Sequence, residues 1–165
     1  MPSTTASNYE QISTGQPAQV RELHEAIISD AVATRTLTNQ DVGALCLFDR
    51  AAGTVYTLPP ITLATVGMRF DFSTSVTITS NAAKVITDSA TTFLVGDIIV
   101  SGGATSTALG ATANGTTIRA LSSNGSTTGG VIGGRFSCIA INATQWLVSG
   151  SVSGSGAVAT PFATS

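Results

Sequence analysis

The side chains in this sequence with the chemistry for catalysis or ligand binding are one histidine, two cysteines, a scatter of aspartates and one tryptophan. A hydrolase or transferase brings an acid, a base and a nucleophile together in surroundings that tune their pKa values. His24 stands among Arg21, Glu22 and Glu25 on a stretch with helical spacing, the setting of a solvated helical histidine. Asp49, Asp71, Asp88 and Asp97 fall at the ends of strand-like runs, where aspartate supports turns, and no spacing singles out a carboxylate pair. Cys46 and Cys138 lie in the apolar runs "ALCLF" and "FSCIAI" and have no neighbouring Cys or His to complete a zinc site. They are predicted to be two buried free thiols. A calcium loop would need closely spaced carboxylates, and "GGVIGG" (129–134) lacks the Lys-Ser/Thr ending and the helix of a phosphate loop. Trp146 opens the last apolar run, where a lone tryptophan reads as a core plug before it reads as a sugar platform. The expectation is no enzyme site, no cofactor and no metal.

Composition narrows the partners. Charged residues make up 10% of the 165-residue chain, against a usual share of roughly a quarter, while Ser, Thr, Ala and Gly supply half of it. Apolar residues remain plentiful and the net charge is only -2, so this is not a disordered polyelectrolyte. The seven basic residues, at 21, 35, 50, 69, 84, 119 and 135, form no cluster, so the footprint that phosphate backbones require is missing and no nucleic-acid partner is expected. No window approaches the roughly 18 apolar residues of a membrane span. The opening "MPSTTASNYEQISTGQ" lacks the basic and apolar regions of an export signal, which predicts synthesis in the cytosol without export.

Three regions follow from the pattern along the chain. Residues 1–34 are expected to form an extended arm with one short amphipathic helix over about 18–33, because Val20, Leu23, Ile27 and Ala31 recur at helical spacing behind Pro17. Such a helix is marginal alone and needs a cover, either its own domain or a partner. Residues 35–153 alternate with period two. "ALCLF" and "TVYTL" flank "DRAAG", in which Gly53 is placed to close a hairpin, and "GMRFDFS", "SVTITS", "AKVIT", "DIIV", "TTIRAL", "GRFSCIAIN" and "QWLVSG" follow. Asn114-Gly115 and Asn124-Gly125 read as tight turns. Eight to ten short strands at this spacing predict a mainly β fold, a small antiparallel sandwich or barrel. Residues 154–165 form a tail whose Phe162 is expected to drape over a neighbouring subunit. A β-domain this poor in charge does little to blunt its edges, and trimerisation would cover them.

The order of phrases resembles a known family. "RTLTNQDVGALCLFDRAAGTVYTLPP", then "GMRFDFSTSVTITSNAAKVITD", "DIIVSGG" and "CIAINATQWLVSGSVSG" are similar, over about residues 35–153, to the phrases of the decoration, or cement, proteins of tailed-phage capsids. The resemblance implies a homotrimer at three-fold and quasi-three-fold positions on the outer shell, where it stabilises the expanded capsid and binds the major capsid protein through an N-terminal arm. It also implies that "DRAAGTVYTLPP" is a framework hairpin, with Gly53 in its turn and Pro59 and Pro60 ending its second strand. The unpaired stripe then suggests Tyr9, Val20, Leu23 and Ile27 as apolar anchors on the capsid. A different reading is a trimeric receptor-binding or fibre-tip module whose Gly/Ser/Thr loops contact host glycans.

Overall fold

A computed structural model describes residues 25–103 and 107–165. Up to residue 86 the strands are short: β1 (Ile27–Ile28), β2 (Thr34–Thr36), β3 (Leu45–Phe48), β4 (Val55–Thr57), β5 (Arg69–Thr74) and β6 (Ala83–Ile86). Then come β7 (Phe93–Ser101), β8 (Leu109–Asn114), β9 (Ala120–Ser123), β10 (Val131–Asn142), β11 (Gln145–Ser153) and β12 (Phe162–Ala163). They form a seven-stranded sheet in the order β1-β3-β5-β10-β11-β7-β8 and a five-stranded sheet in the order β12-β9-β6-β4-β2.

The mainly β fold is as expected, but the sheets are mixed rather than antiparallel. From β1 to β6 the chain alternates between the two sheets, so each strand lies parallel to the one two steps before it: β1, β3 and β5 in one sheet, β2, β4 and β6 in the other. The path is a flattened coil of three turns. Parallel neighbours cannot be joined by a tight hairpin, and here the crossover is the opposite sheet. The second half adds antiparallel pairs, β10 with β5 and β11, and β9 with β6 and β12.

This path corrects the framework hairpin. β3 and β4 belong to different sheets, so "DRAAG" is a corner that carries the chain across the sandwich. Gly53 N–H closes the corner on Arg50 C=O at 2.9 Å, and the Arg50 guanidinium reaches Gly53 C=O at 2.8 Å. Gly53 has φ +76°, and a Cβ there would stand 2.7 Å from Ala82 C=O in the next corner. Glycine is needed because successive corners stack. Asp49 accepts from Ser29 Oγ and Ala31 N–H one corner earlier, and Thr79 N–H reaches Ala51 C=O one corner later. β4 ends at Thr57, and Pro59 and Pro60 follow Leu58 at the start of the return link.

The opposite corners also recur. Thr38 and Thr62 each precede a single 3-10 turn, Asn39–Asp41 and Leu63–Thr65. The Thr38 N–H and hydroxyl both donate to Asp41 Oδ2 at 2.8 Å, and Thr62 N–H donates to Thr65 Oγ1 at 2.8 Å. Each turn is followed by Val-Gly and then by a strand of the seven-stranded sheet.

Both sheets turn their inner faces to one core. Tyr56 of β4 meets Phe48 and Phe72 edge-on at 5.4 and 5.6 Å, and Phe72 stacks on Phe48 at 6.1 Å and on Phe136 at 5.1 Å. Trp146 is fully buried 5.9 Å from Phe70, a core residue as expected. The Tyr56 hydroxyl donates to Leu47 C=O at 2.8 Å. Burying such rings supplies most of a core's driving force, and the aromatic contacts add to it.

Two further expectations change. The helix over about 18–33 is absent from residue 25 onward, where Ile27 and Ile28 pair with Leu45 and Cys46. Two adjacent β-branched residues facing an open strand favour pairing over helical spacing. Its earlier residues, with the arm, lie outside the described residues. Phe162 does not reach a neighbour: β12 pairs with β9, and the ring packs into the chain's own core. The tail is laid down by Ser155 N–H on Ser126 C=O, Ala159 N–H on Thr127 C=O, and Ser122 N–H on Pro161 C=O.

Candidate functional site: the outer face of the seven-stranded sheet

The strand registers determine which residues share the outer face of the larger sheet. One row runs Ile27, Leu45, Asp71, Ser137, Ser149, Asp97 and Thr112 across all seven strands. Above it lie Leu47, Ser73, Arg135, Ser151, Ile99 and Gly110, and below it Arg69, Ile139, Leu147, Val95 and Asn114. Side chains alternate along each strand, so the residues between these rows, such as Phe70, Phe72, Cys138 and Val148, face the core. At the usual strand spacing the face is about 30 Å wide. Ser, Gly and aliphatic residues dominate it; Ile99 and Ile27 are 53% and 62% exposed.

Its charges are largely neutralised within the face. Arg69 grips Asp71 with two donors, Nε to Oδ2 at 3.0 Å and Nη2 to Oδ1 at 2.9 Å. Arg135 lies 3.5 Å from the same carboxylate and 2.5 Å from Glu25 Oε1. Two arginines and two carboxylates therefore form one cluster, with Asp71 buried beneath the others. A buried carboxylate without such partners would be costly, so the cluster holds β5 against β10 and ties Glu25 to the face. Asp97, across the sheet, accepts the Thr112 hydroxyl at 2.6 Å.

A second apolar strip runs along the capped corners. Val42 and Val66 follow the two 3-10 turns and are exposed, as are Leu63, at 88%, and Ile141. Gly43 N–H bonds to Arg69 C=O and Gly67 N–H to Ala140 C=O, so the corners form a ladder beside the end of β10.

The aspartates singled out in sequence do not converge. Asp49 braces a corner, Asp71 and Asp97 lie on the outer face three strands apart, and Asp88 follows β6. Burial pushes the Cys46 thiol up to about 12 and raises Cys138 as well, so both remain neutral thiols inside the core, as expected. Among the described residues no group of three His, Cys, Asp or Glu could hold a metal ion. Of the expected anchors, Ile27 stands on the edge strand β1; Tyr9, Val20, Leu23 and also His24 lie outside the described residues. Sequence reasoning missed the ionic cluster, whose members are far apart in the chain. It also missed the repeated corner, although its signal was present as "TNQDVG" (38–43) and "TLATVG" (62–67), 24 residues apart. The arrangement is suited to binding another macromolecular surface: broad, poor in net charge and bearing exposed aliphatic groups.

No family model, no curated protein and no solved structure matches this chain.

Proposed function

We propose that the chain is a structural virion protein that binds the outside of a tailed-phage capsid as a homotrimer at three-fold and quasi-three-fold positions and stabilises the expanded shell. The observation that carries this reading is the outer face of the seven-stranded sheet, where exposed Ile99 and half-buried Leu45, Leu147 and Val95 accompany a self-neutralised ionic cluster. Such a face associates with little charge left unpaired, Asp97 being met by the Thr112 hydroxyl rather than by a cation among the described residues. Three copies joined through it present three shell contacts at once, and linked weak contacts gain strongly from effective concentration. Ile27, at the start of the coil, marks the end that meets the major capsid protein, with Tyr9, Val20 and Leu23 as further anchors preceding it. The phrase order over residues 35–153 supports the same assignment.

Sedimentation tests both halves of the proposal. The 16.6 kDa chain should sediment as a trimer and should co-pellet, saturably, with expanded shells that lack it. Ile99→Asp should yield folded monomers that pellet poorly and melt at a lower temperature than the trimer, because dissociation removes the stabilisation that association supplies. A wild-type monomer, or a trimer that stays in the supernatant, would overturn the proposal.

A further inference from the structure

Three copies around a three-fold axis cannot meet through one patch alone. A patch pairs with itself only across a two-fold axis, so every contact in a ring of three joins two different surfaces of the chain. The directions from one copy to its two neighbours in such a ring lie roughly 60° apart. The outer face of the larger sheet therefore needs a partner surface that borders it. The outer face of the smaller sheet points the opposite way, and contact between the two sheet faces would build an open stack.

Corners border the face at both ends of the strands. Those on the Gly53 side present Val32, Val76 and Ile132 beside the charges of Asp30, Asp49 and Arg50. The capped corners present Val42, Leu63, Val66 and Ile141, and their one charge, Asp41, is held by Thr38 and Arg35. Leu63 is the most exposed large apolar side chain among the described residues. The capping bonds, with Gly43 and Gly67 N–H anchored on Arg69 and Ala140 C=O, hold the strip in one shape, so little further ordering is needed when it docks. Strip and face are also complementary. On β7, Val95 and Ile99 stand on either side of Asp97, and exposed Asn39 and Gln40 on the first capped corner bring amide donors that a carboxylate accepts.

We infer that in the homotrimer the capped corners of one copy seat on the outer face of the larger sheet of the next, with Leu63 and Val66 against Val95, Leu147 and Ile99. The inference rests on the trimeric reading above and assigns the two surfaces of its contact. The corners lie at the strand ends and the face looks along the sheet normal, so the axis perpendicular to both directions runs across the strands, from β1 towards β8. The three β1–β2 ends, each with its Ile27, then gather at one pole of the ring and the three β8 edges at the other. One pole thus offers the same end of the coil three times to a single shell.

Cross-linking of the full-length protein tests it without any capsid present. Cys46 and Cys138 are buried, so a short bismaleimide reads only introduced thiols. The double variant Leu63→Cys/Ile99→Cys should yield covalent trimers on a denaturing gel. Each single variant should run as a monomer, and the two singles co-expressed should stop at dimers. In sedimentation, Leu63→Asp should dissociate the trimer as Ile99→Asp does, whereas Ile132→Asp, beside Thr77 on the Gly53 side, should leave it intact. A sedimenting trimer whose double variant stays uncross-linked, or whose single variants link to themselves, would overturn the inference and leave the trimer standing. So would a trimer broken by Ile132→Asp and not by Leu63→Asp, which would assign the contact to the Gly53 side. A wild-type monomer would overturn both readings.

Discussion

From Ile27 to Ile86 the strands are two to six residues long and each leans on the strand two steps away; from Phe93 to Ser153 they reach nine and twelve residues and pair across longer registers. The two regions meet where β10 lies between β5 and β11. In the first region no strand carries enough hydrogen bonds to stand alone, so its stability comes from the rings it buries in the shared core and from corners that repeat and stack. In the second, a β10–β11 hairpin with a nine-position register supplies a local unit that the parallel partner β7 then extends. Stability in a stacked array is passed between neighbours and is lowest at an open end. Exchange protection should therefore be highest along β10 and β11 and fall through β5 and β3 towards β1.

The strongest way to break this contrast is at the seam. Phe72 touches Phe48 and Tyr56 of the coil and Phe136 of the hairpin, so Phe72→Ala should cost about 3–5 kcal/mol in chemical denaturation. A loss below about 1 kcal/mol would mean that the regions are not coupled through this ring. Next is the corner. Gly53→Val introduces a left-handed β-branched residue and a contact with Ala82 C=O, and should cost about 1–3 kcal/mol while accelerating exchange in β4 and β6 more than in β11. Equal acceleration everywhere would deny the coil any independence.

Smaller effects probe the coil by pH. Thr38→Ala removes one corner cap and should cost about 1 kcal/mol. Its partner Asp41 is also partly buried, which alone would raise its carboxyl. The Thr38 N–H and hydroxyl and the Arg35 guanidinium overcome that and hold the group below its ordinary value. A depressed carboxylate stabilises the fold above its unfolded pKa, about 3.9, and loses that contribution as pH falls through the folded value. Acid should therefore loosen the corner, and Asp41→Asn should flatten this part of the profile. At the alkaline end the signs reverse. Cys46, raised to about 12 by burial, contributes fully below about pH 8.5 and progressively less as pH rises towards the folded value. At pH 8 neither thiol should react with a thiol reagent until the chain is unfolded, after which both should.

Much of the second region is legible in the sequence. The inward alternation of Phe136, Cys138 and Ala140, and of Trp146 and Val148, follows the period of two. The asparagine turns also hold: Asn114 Oδ1 accepts from Thr116 and Thr117 N–H, and Asn124 Oδ1 from Ser126 and Thr128 N–H. The coil is less legible, because period two is the same in parallel and antiparallel strands, and "ALCLF-DRAAG-TVYTL" has the spacing of a hairpin whether or not its arms share a sheet. At Ile27 a short apolar run fits either helix or strand, and pairing with Leu45 decides the matter. Phe162 illustrates the limit from the other end, since nothing near it in sequence identifies β9 as its partner. The outer face is legible only once the registers are known, because Asp71, Arg135 and Glu25 come together through three separate parts of the chain.

The central claim is occupancy of the shell. Purified protein mixed with expanded capsids that lack it, imaged by cryo-electron microscopy, should show trimers at the three-fold and quasi-three-fold positions with the β1–β2 end against the capsid, together with a raised capsid melting temperature. Bare shells at saturating protein, with an unchanged melting temperature, would contradict the account.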